Sequence, residues 1–301
     1  MKICVLGGSG FVGSHLCDQL TIAGHEVRIF DLVDSTWRMP SQQMILGDLL
    51  DPEALFDAVR GCDVVYNFAG LADLDESWDK PLLVADLNIM GNIRALEACR
   101  QQGVGRYIFA STVYVYSREG GFYRCSKVAA EQFIAQYQKT FGLDFAILRF
   151  GSLYGTRSDR RNGLFRIVEQ ALLNKYVGYE GSVNAMREYI HVEDAALASI
   201  SAMGEEFKNQ HVVLTGQEPM KVEDMLKMLS EILDISSEIK FTEPQHLGHY
   251  TRTPYAHQST IGRKFTPPLH VDLGQGLLEL IEYVMANINL SDKSDRISLT
   301  N

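Results

Sequence analysis

Long hydrophobic runs and an excess of positive charge are both missing from this 301-residue sequence. No apolar stretch reaches the roughly 20 residues that a membrane-spanning helix needs, so we expect no membrane partner. The 28 Lys and Arg residues are outnumbered by 38 Asp and Glu residues, which gives a formal net charge of −10. Nucleic acid is bound through basic surfaces, so this balance argues against nucleic acid as a main partner. An anionic small ligand would instead need a few well-placed arginines.

Cysteine is scarce, with five residues in the chain: Cys4, Cys17, Cys62, Cys99 and Cys125. Their spacing shows no metal-like pairing, so we expect no metal site. Several lie within apolar patterns, which favours buried free thiols in a reducing compartment. The N-terminus enters an apolar run directly, and the glycines after it interrupt any signal-peptide core. We therefore expect a cytoplasmic location.

Glycine, by contrast, recurs early, in the stretch KICVLGGSGFVGSHLCDQLTIAGHEVRIFD over residues 2–31. The short apolar run Ile3–Leu6 predicts a strand buried on both faces of a parallel sheet. The glycines that follow it fit both G-x-G-x-x-G and G-x-x-G-x-x-G, and they are Gly7, Gly8, Gly10 and Gly13. Glycine suits such a turn because a positive φ costs it little and because its backbone can approach a pyrophosphate closely.

The residues after the glycines complete a dinucleotide-binding pattern. Phe11–Ala23 reads as a helix whose first N–H groups would face the phosphates, and Val27–Phe30 reads as a second strand. Asp31 ends that strand, about 20 residues past the glycines, where a carboxylate can accept hydrogen bonds from the adenosine ribose. The same carboxylate would repel a 2′-phosphate. The pattern therefore predicts NAD as the cofactor, in preference to NADP.

Strand and helix patterns alternate along the rest of the chain, whose 46% hydrophobic and 22% charged residues are typical of a globular protein. Further extended segments are predicted at Met44–Leu46, Asp63–Phe68, Tyr107–Ala110, Phe145–Arg149, Arg187–Val192 and Val212–Leu214. Further helices are predicted at Pro52–Val59, Val84–Gln102, Gly163–Asn174, Val222–Leu233 and Leu273–Ala286. This order predicts an α/β fold, a doubly wound parallel sheet of the Rossmann type with a smaller α/β substrate-binding domain.

The length allows one large or two modest domains. We expect residues 1–165 to form the dinucleotide-binding domain, with residues 189–216 returning to it. Residues 166–188 and 217–290 would form the substrate-binding domain. The polar residues 291–301 are expected to be a disordered tail.

Two more segments border the expected cofactor. Asp48 follows the third predicted strand, where it can bind the adenine amino group, cap the helix Pro52–Val59, or do both. Ala69 belongs to a group of small residues after the fourth strand that let a cofactor pass close to the sheet. The full set of expected cofactor-binding residues is Gly7, Gly10, Phe11, Val12, Gly13, Asp31, Asp48, Leu49, Ala69, Tyr123 and Lys127.

Tyr123 and Lys127 form a Y-x-x-x-K pair, which on a helix projects both side chains from one face. A tyrosine with a pKa near 10 is a poor base at neutral pH. A nearby ammonium and an oxidised nicotinamide would both stabilise the phenolate and lower that pKa. The hydroxyl of Thr112, just after the fifth strand, can hold a substrate oxygen as its proton leaves. We therefore predict Thr112, Tyr123 and Lys127 as the catalytic residues.

Together these residues resemble the extended short-chain dehydrogenase/reductases, specifically the NAD-dependent nucleotide-sugar epimerase/dehydratase family. The resemblance extends over residues 2–286 and includes two later blocks. Residues 149–157 are similar to the family's R-x-x-N-x-Y-G-x-R, and residues 187–194, REYIHVED, are similar to its R-D-Y-I-H-V-x-D. The second block is the most specific part of the resemblance.

The resemblance implies which residues bind the nucleotide-sugar substrate. It assigns Arg187 and Arg252 to the diphosphate, for which an arginine fork is chemically apt. Ser152 stands where the family usually has asparagine, and it is expected to be a substrate-binding residue as well. The segment 118–122 before the predicted catalytic tyrosine is far shorter than the usual substrate loop, so the sugar pocket is expected to be more open or to be completed by other residues.

The implied activity is that of an NAD-dependent epimerase that inverts C4 of a nucleoside-diphosphate sugar through a 4-keto intermediate. A nucleotide-sugar 4-dehydrogenase, a ketoreductase or a dehydratase are the alternatives. Dehydratases of the family carry acids directly after the catalytic threonine, whereas this chain has Val113 and Tyr114. A non-catalytic nucleotide-binding sensor is less expected, because such proteins usually lose the tyrosine or the lysine.

A homodimer is also implied, because in related proteins two helices pair with their symmetry mates as a four-helix bundle. The corresponding segments here are Val84–Gln102 and Tyr123–Tyr137. Their apolar residues on more than one face are Leu87, Ile93, Leu96, Val128, Phe133 and Ile134.

Overall fold

The computed structural model of the protein describes residues 1–216, 218–235, 239–242 and 250–251. The strands are β1 (Lys2–Leu6), β2 (Glu26–Asp31), β3 (Gln43–Leu46), β4 (Val64–Asn67), β5 (Arg106–Thr112), β6 (Asp144–Phe150), β7 (Ser152–Tyr154), β8 (Gly178–Glu180), β9 (Met186–Arg187), β10 (Tyr189–His191), β11 (Gln210–Leu214), β12 (Met220–Lys221) and β13 (Lys240–Thr242). The α-helices are α1 (Phe11–Ile22), α2 (Pro52–Val59), α3 (Leu74–Asp79), α4 (Pro81–Val84), α5 (Gly91–Gln102), α6 (Gly121–Phe141), α7 (Gly163–Asn174), α8 (Val192–Ser201) and α9 (Val222–Ile232). In this part of the chain no helix is both long and apolar enough to span a membrane.

Seven of the strands form one sheet in the order β11-β6-β5-β4-β1-β2-β3, and every neighbouring pair is parallel. The chain first winds outward from β1 to β3 and then crosses to β4 and winds the other way. The predicted doubly wound parallel sheet is confirmed. Ligands of such sheets bind at the carboxyl ends of the strands where the winding reverses, which here lies between β1 and β4.

The central strands are buried on both faces because helices cover both sides of the sheet. Along β1, Ile3 and Val5 pack in one core cluster with Ile29, while Cys4 and Leu6 pack in the other. All five side chains are at most 1% exposed. This alternation is the period of two that a strand imposes, and it makes β1 a rigid support for the glycine turn that follows.

The predicted helix Val84–Gln102 is not one regular α-helix. Pro81–Val84 is α-helical, Ala85–Met90 is a π-helical segment, and a second α-helix runs from Gly91 to Gln102. The wider π turn carries Asn88, which is 2% exposed and bonds to a loop of the sheet. A side-chain pattern does not reveal such an insertion, which is often found at functional sites.

The predicted extended segment Arg187–Val192 is also interrupted. It divides into β9 and β10, and Val192 is already the first residue of α8, with His191 as its N-cap. The strand β10 pairs with β7, β9 pairs with β12, and β8 pairs with β13, in three two-stranded sheets. The limits of the two domains remain a prediction. The predicted helix Leu273–Ala286 and the predicted tail lie outside the described residues.

The cysteines are all free thiols. Four of them, Cys4, Cys17, Cys62 and Cys99, are buried, as their apolar neighbours predict. Cys125 is exposed on α6.

Candidate active site

The turn between β1 and α1 is built so that only glycine fits at key positions. Gly7 has φ +80°, and its N–H donates to the carbonyl of Phe30 at 2.8 Å. A Cβ at Gly13 would lie 2.1 Å from the carbonyl oxygen of Gly7, and a Cβ at Gly7 would lie 2.6 Å from the nitrogen of Ala69. The backbone can therefore pack tightly here, and the first N–H groups of α1 are presented to an anion. This cradle fits the pyrophosphate of NAD.

Asp31 is tied to the glycine turn. Its Oδ2 accepts from the N–H of Ser9 at 3.0 Å, and its Oδ1 accepts from the N–H of Val33 at 3.3 Å. Each carboxylate oxygen can accept a second hydrogen bond, so the group retains capacity for ribose hydroxyls. The carboxylate lies at the carboxyl end of β2, next to the glycine turn, as the sequence pattern predicts.

Asp48 does not cap α2. Its Oδ1 accepts from the N–H of Leu50 at 2.8 Å, and Asp51 caps the helix by accepting from the second and third residues of α2. The capping alternative for Asp48 is therefore wrong, because the helix begins too late in the chain for it. Leu49 is 5% exposed and packs in the core against Gly91, where a Cβ would lie 2.6 Å from the Leu49 Cδ2 atom. Binding of adenine by Asp48 stays a prediction.

The predicted catalytic residues meet where β5 ends and α6 begins. Thr112 is the last residue of β5, and its side chain lies beside the phenol of Tyr123, near the start of α6, in one cavity. Lys127 lies one turn further on, with Nζ 5.8 Å from the centroid of the Tyr123 ring. Its Nζ donates to the carbonyl of Ala110 at 2.7 Å and lies 4.6 Å from the centroid of the Phe109 ring. The ammonium is thus held beneath the tyrosine.

Burial dominates the titration of this pair. It raises the pKa of Tyr123 to about 12, against a smaller opposing effect of the Thr112 hydroxyl. Burial also lowers the pKa of Lys127 to about 8, although the carboxylate of Glu131 acts in the other direction. The expected lowering of the tyrosine pKa is therefore not a property of the protein alone. The positive charge of a bound oxidised nicotinamide would supply the missing stabilisation of the Tyr123 phenolate.

One cavity of about 970 Å³ joins most of the predicted residues. The predicted residues that line it are Gly7, Gly10, Phe11, Val12, Gly13, Ala69, Thr112, Tyr123, Lys127, Ser152 and Arg187. Asp31, Asp48 and Leu49 do not line this cavity. Arg252 lies outside the described residues. The cavity therefore brings the glycine turn, the tyrosine–lysine pair and Arg187 together.

Arg187 is 6% exposed and held in a fixed position. Its Nη1 donates to the carbonyl oxygens of Met186 at 2.8 Å and Tyr250 at 2.7 Å, and its Nη2 donates to the hydroxyl of Tyr179 at 3.0 Å. The guanidinium also stacks 4.6 Å from the centroid of the Tyr250 ring. Five donors leave such an arginine able to bind an anion that enters the cavity.

Ser152 begins β7 and lines the same cavity. Its N–H donates to the carbonyl of Glu188 at 3.0 Å, and its register partner in β10 is Tyr189. The two sequence blocks 149–157 and 187–194 therefore lie side by side, because they contain the neighbouring strands β7 and β10.

The sequence and the fold are both similar to those of known proteins. A family model described as "NAD dependent epimerase/dehydratase family" matches residues 3–215. The chain belongs to this family. The family resemblance read from the motifs is thereby confirmed, and with it the dependence of the family on NAD.

Several relatives of this chain are named as epimerases, and another, from Dictyostelium discoideum, is named as a dTDP-D-glucose 4,6-dehydratase. A putative UDP-glucose 4-epimerase of Methanocaldococcus jannaschii is 24% identical over 307 residues, covering 95% of this chain and 99% of the relative. An uncharacterized UDP-glucose epimerase of Bacillus subtilis is 28% identical over 265 residues, covering 78% and 82%. The crystal structure of the Thermus thermophilus UDP-glucose 4-epimerase with NAD matches at 26% identity and a TM-score of 0.74, covering 86% and 90%.

Two buried groups beside the predicted catalytic residues were not predicted from the sequence. Asn88 accepts from the N–H of Leu71 at 2.8 Å and donates to the hydroxyl of Ser126 at 2.9 Å. It thereby links the loop after β4 to α6, next to Tyr123. The second group is Glu131, four residues after Lys127. The sequence signal that could have identified Glu131 is its interval of four residues from Lys127, which places it on the same helix face as Tyr123 and Lys127.

Proposed function

We propose that the protein is an NAD-dependent epimerase that inverts C4 of a nucleoside-diphosphate hexose. The observation that carries this proposal is that Thr112, Tyr123 and the buried ammonium of Lys127 line the same cavity as the glycine turn. The names of the relatives support the C4 position and a uridine nucleotide. The glycine turn and Asp31 would hold NAD, and Arg187 the substrate diphosphate.

The residues of the site have separate roles in this reaction. Bound NAD would supply a reversible hydride acceptor for C4. Tyr123, as its phenolate, takes the proton of the C4 hydroxyl and later returns it to the keto oxygen. Thr112 donates a hydrogen bond that holds the reacting oxygen, and the charge of Lys127 stabilises the phenolate. Inversion requires that the 4-keto sugar rotate in the cavity, so that hydride can return to the opposite face of C4.

The residues after Thr112 favour an epimerase over a dehydratase. Elimination of a hydroxyl needs a group that donates a proton to it. Val113 is buried and apolar, and burial raises the pKa of the Tyr114 phenol well above its ordinary value of 10. Neither residue replaces a carboxyl group as an acid at neutral pH. A 4-dehydrogenase or ketoreductase would use the same tyrosine and lysine but would release its keto product.

We also infer a homodimer and a cytoplasmic location. Phe133 on α6 is 42% exposed and Met90, just before α5, is 43% exposed, which leaves apolar surface on the two helices expected to pair. Leu96 and Ile134 do not contribute to that surface, because both are core residues at most 1% exposed. The free thiols fit a reducing compartment.

The test is incubation of the purified protein with UDP-glucose, and in parallel with GDP-, dTDP- and CDP-hexoses. An epimerase converts either C4 epimer to the same equilibrium mixture, seen by proton NMR of the sugar. No net NADH accumulates. Net NADH or a released keto sugar would identify a dehydrogenase, and a product lighter by one water a dehydratase. Binding of the sugar nucleotide without any product would instead support the non-catalytic sensor.

A further inference from the structure

The end of β5 and one face of α6 are joined residue by residue. Three consecutive strand residues contact three helix residues that follow one another at intervals of one turn. The pairs are Thr112 with Tyr123, Ala110 with Lys127, and Ser111 with Glu131. The first two pairs belong to the proposed reaction. The third pair, Ser111 with Glu131, has no part in the chemical steps of that reaction.

Glu131 is the centre of a buried polar layer. It is 4% exposed, and its Oε1 accepts from the hydroxyl of Ser111 at 2.5 Å. Arg149 donates to both of its oxygens, from Nε at 3.0 Å and from Nη2 at 2.5 Å. Arg149 also donates from Nη1 to the hydroxyl of Tyr116 at 2.5 Å. Such bidentate pairing fixes both side chains.

The layer crosses three elements of the fold. Ser111 on β5 and Arg149 on β6 are register partners in the sheet, and both bind the one carboxylate that α6 places over them. A helix that slid along the sheet would break both contacts at once. The carboxylate therefore fixes the position of α6, and of the two catalytic residues on it, against the end of β5.

We propose that Glu131 is a positioning residue of the reaction, holding α6 in register with β5 and placing a carboxylate one helical turn from the buried ammonium of Lys127. This proposal rests on the proposed function only for its link to turnover. A merely structural ion pair would fix the helix as well, but it would not control the charge of Lys127.

The charges around the layer are arranged for this role. On α6, Lys127 has Tyr123 on one side and Glu131 on the other, and β5 presents to it an aromatic ring and a carbonyl oxygen. Glu131 raises the pKa of Lys127 against the effect of burial. The groups behind Glu131 are Arg149, the hydroxyl of Tyr116 and His211, whose Nε2 is 3.8 Å from Oε2. Burial and Arg149 lower the pKa of His211, so it is neutral at pH 7 and above.

The first test titrates Lys127 directly and needs no substrate. Protein labelled with 13C at lysine Cε is titrated by NMR, and the signal of Lys127 is assigned by its loss in Lys127→Met. Glu131→Gln keeps the shape but removes the charge, so the pKa of Lys127 should fall by about one pH unit. The matched variant Ser111→Ala removes a contact of the same carboxylate but keeps the charge, and it should leave that pKa unchanged. An unchanged pKa in Glu131→Gln overturns the proposal.

The second test asks whether that charge matters for turnover. The alkaline limb of kcat/KM, measured with the substrate that the wild type converts, should move to lower pH in Glu131→Gln and stay in place in Ser111→Ala. A limb that stays in place in both variants, or moves equally in both, overturns the role in the reaction. If the wild type converts none of the sugar nucleotides, the proposed function fails, while the NMR titration still decides the role of Glu131.

A second variant covers the case in which Glu131→Gln does not fold, since it leaves the guanidinium of Arg149 without its carboxylate. Glu131→Gln/Arg149→Met removes both charges of the pair. Arg149 makes no contact with Lys127 in the described structure, so the double variant should shift Lys127 in the same direction. A double variant that folds and binds NAD but titrates like the wild type contradicts the proposal.

Discussion

The ammonium of Lys127 donates to the carbonyl oxygen of Ala110 at 2.7 Å, in a position where the lysine side chain is only 6% exposed. One hydrogen bond and one carboxylate a turn away do not replace the water that a cation loses on burial. The pKa of Lys127 is accordingly about 8, below its ordinary value of 10.5. Burial of this ammonium therefore lowers the stability of the fold.

We expect Lys127→Met to stabilise the fold at pH 7 while abolishing turnover. The pKa lowered from 10.5 to about 8 corresponds to roughly 3 kcal/mol, of which the lost hydrogen bond offsets about 1 kcal/mol. Between these two pKa values the unfolded state holds the proton that the folded state has released, so the wild type gains stability as the pH rises. The advantage of the variant should be about 2 kcal/mol below pH 8 and should shrink towards pH 10. Urea unfolding at pH 7 and pH 9.5 measures it.

The control is Lys139→Met, on the same helix but exposed. It should change the free energy of unfolding by less than about 0.5 kcal/mol at either pH. A Lys127→Met variant less stable than the wild type at pH 7 would show that the hydrogen bond and the charge of Glu131 outweigh burial.

Tyr123→Phe should abolish turnover and leave NAD binding nearly intact, because only the proton-transferring hydroxyl is lost. Single-turnover kinetics and calorimetric titration with NAD measure the two effects. Tyr137→Phe, on the same helix with its hydroxyl 3.3 Å from Glu97, serves as the control. Retention of more than about a tenth of wild-type kcat in Tyr123→Phe would show that another group is the base.

Asp31→Ala should narrow the preference for NAD over NADP by at least about 1.4 kcal/mol, which is tenfold. The carboxylate repels a 2′-phosphate, but it also accepts the N–H of Ser9, so its removal loosens the glycine turn as well. Asp31→Asn keeps an oxygen for that N–H and separates the two effects. Calorimetric Kd values for both cofactors measure the preference.

Asp34→Asn removes a neighbouring exposed charge and should leave the ratio of the two affinities unchanged. Equal or tighter binding of NADP by the wild type would contradict the interpretation of Asp31.

The sequence pattern was sufficient for the parts of the fold that depend on local chemistry. The order of apolar runs and glycines predicted the parallel sheet, and the tight approach of Gly13 to Gly7 explains why no other residue type could stand in that turn. The spacing of Tyr123 and Lys127 placed both on one helix face, which the structure shows.

What the pattern could not predict depends on long-range packing. The π-helical turn that buries Asn88 arises from a bond to Leu71, 17 positions away in the chain. The electrostatic balance at Lys127 depends on how deeply α6 packs on β5, which no local motif encodes. Leu49 is another example. It was predicted to bind the cofactor, but it packs against Gly91 in the hydrophobic core and does not line the cavity.

Arg187→Ala should weaken binding of the nucleotide sugar by roughly 1.5–3 kcal/mol, the scale for hydrogen bonds to charged groups. The chain is acidic overall, so a diphosphate must be held by a few placed cations. Arg187 lines the cavity, and its guanidinium donates to the carbonyl of Tyr250 and to the hydroxyl of Tyr179. Calorimetry with UDP and with the sugar nucleotide measures the loss.

The affinity for NAD should barely change in Arg187→Ala, because its pyrophosphate would bind at the glycine turn. The control is Arg166→Ala, which removes a cavity arginine that is 44% exposed, forms long ion pairs of 3.7 and 3.6 Å and donates to the carbonyl of Arg160 at 2.9 Å. Because Arg187 also braces Tyr250, Arg187→Lys serves as a second variant that keeps the charge but loses the fork. The affinity of Arg187→Lys for UDP should lie between those of the wild type and Arg187→Ala. If Arg187→Ala binds UDP as tightly as the wild type, the buried guanidinium only braces the fold and its assignment to the diphosphate fails.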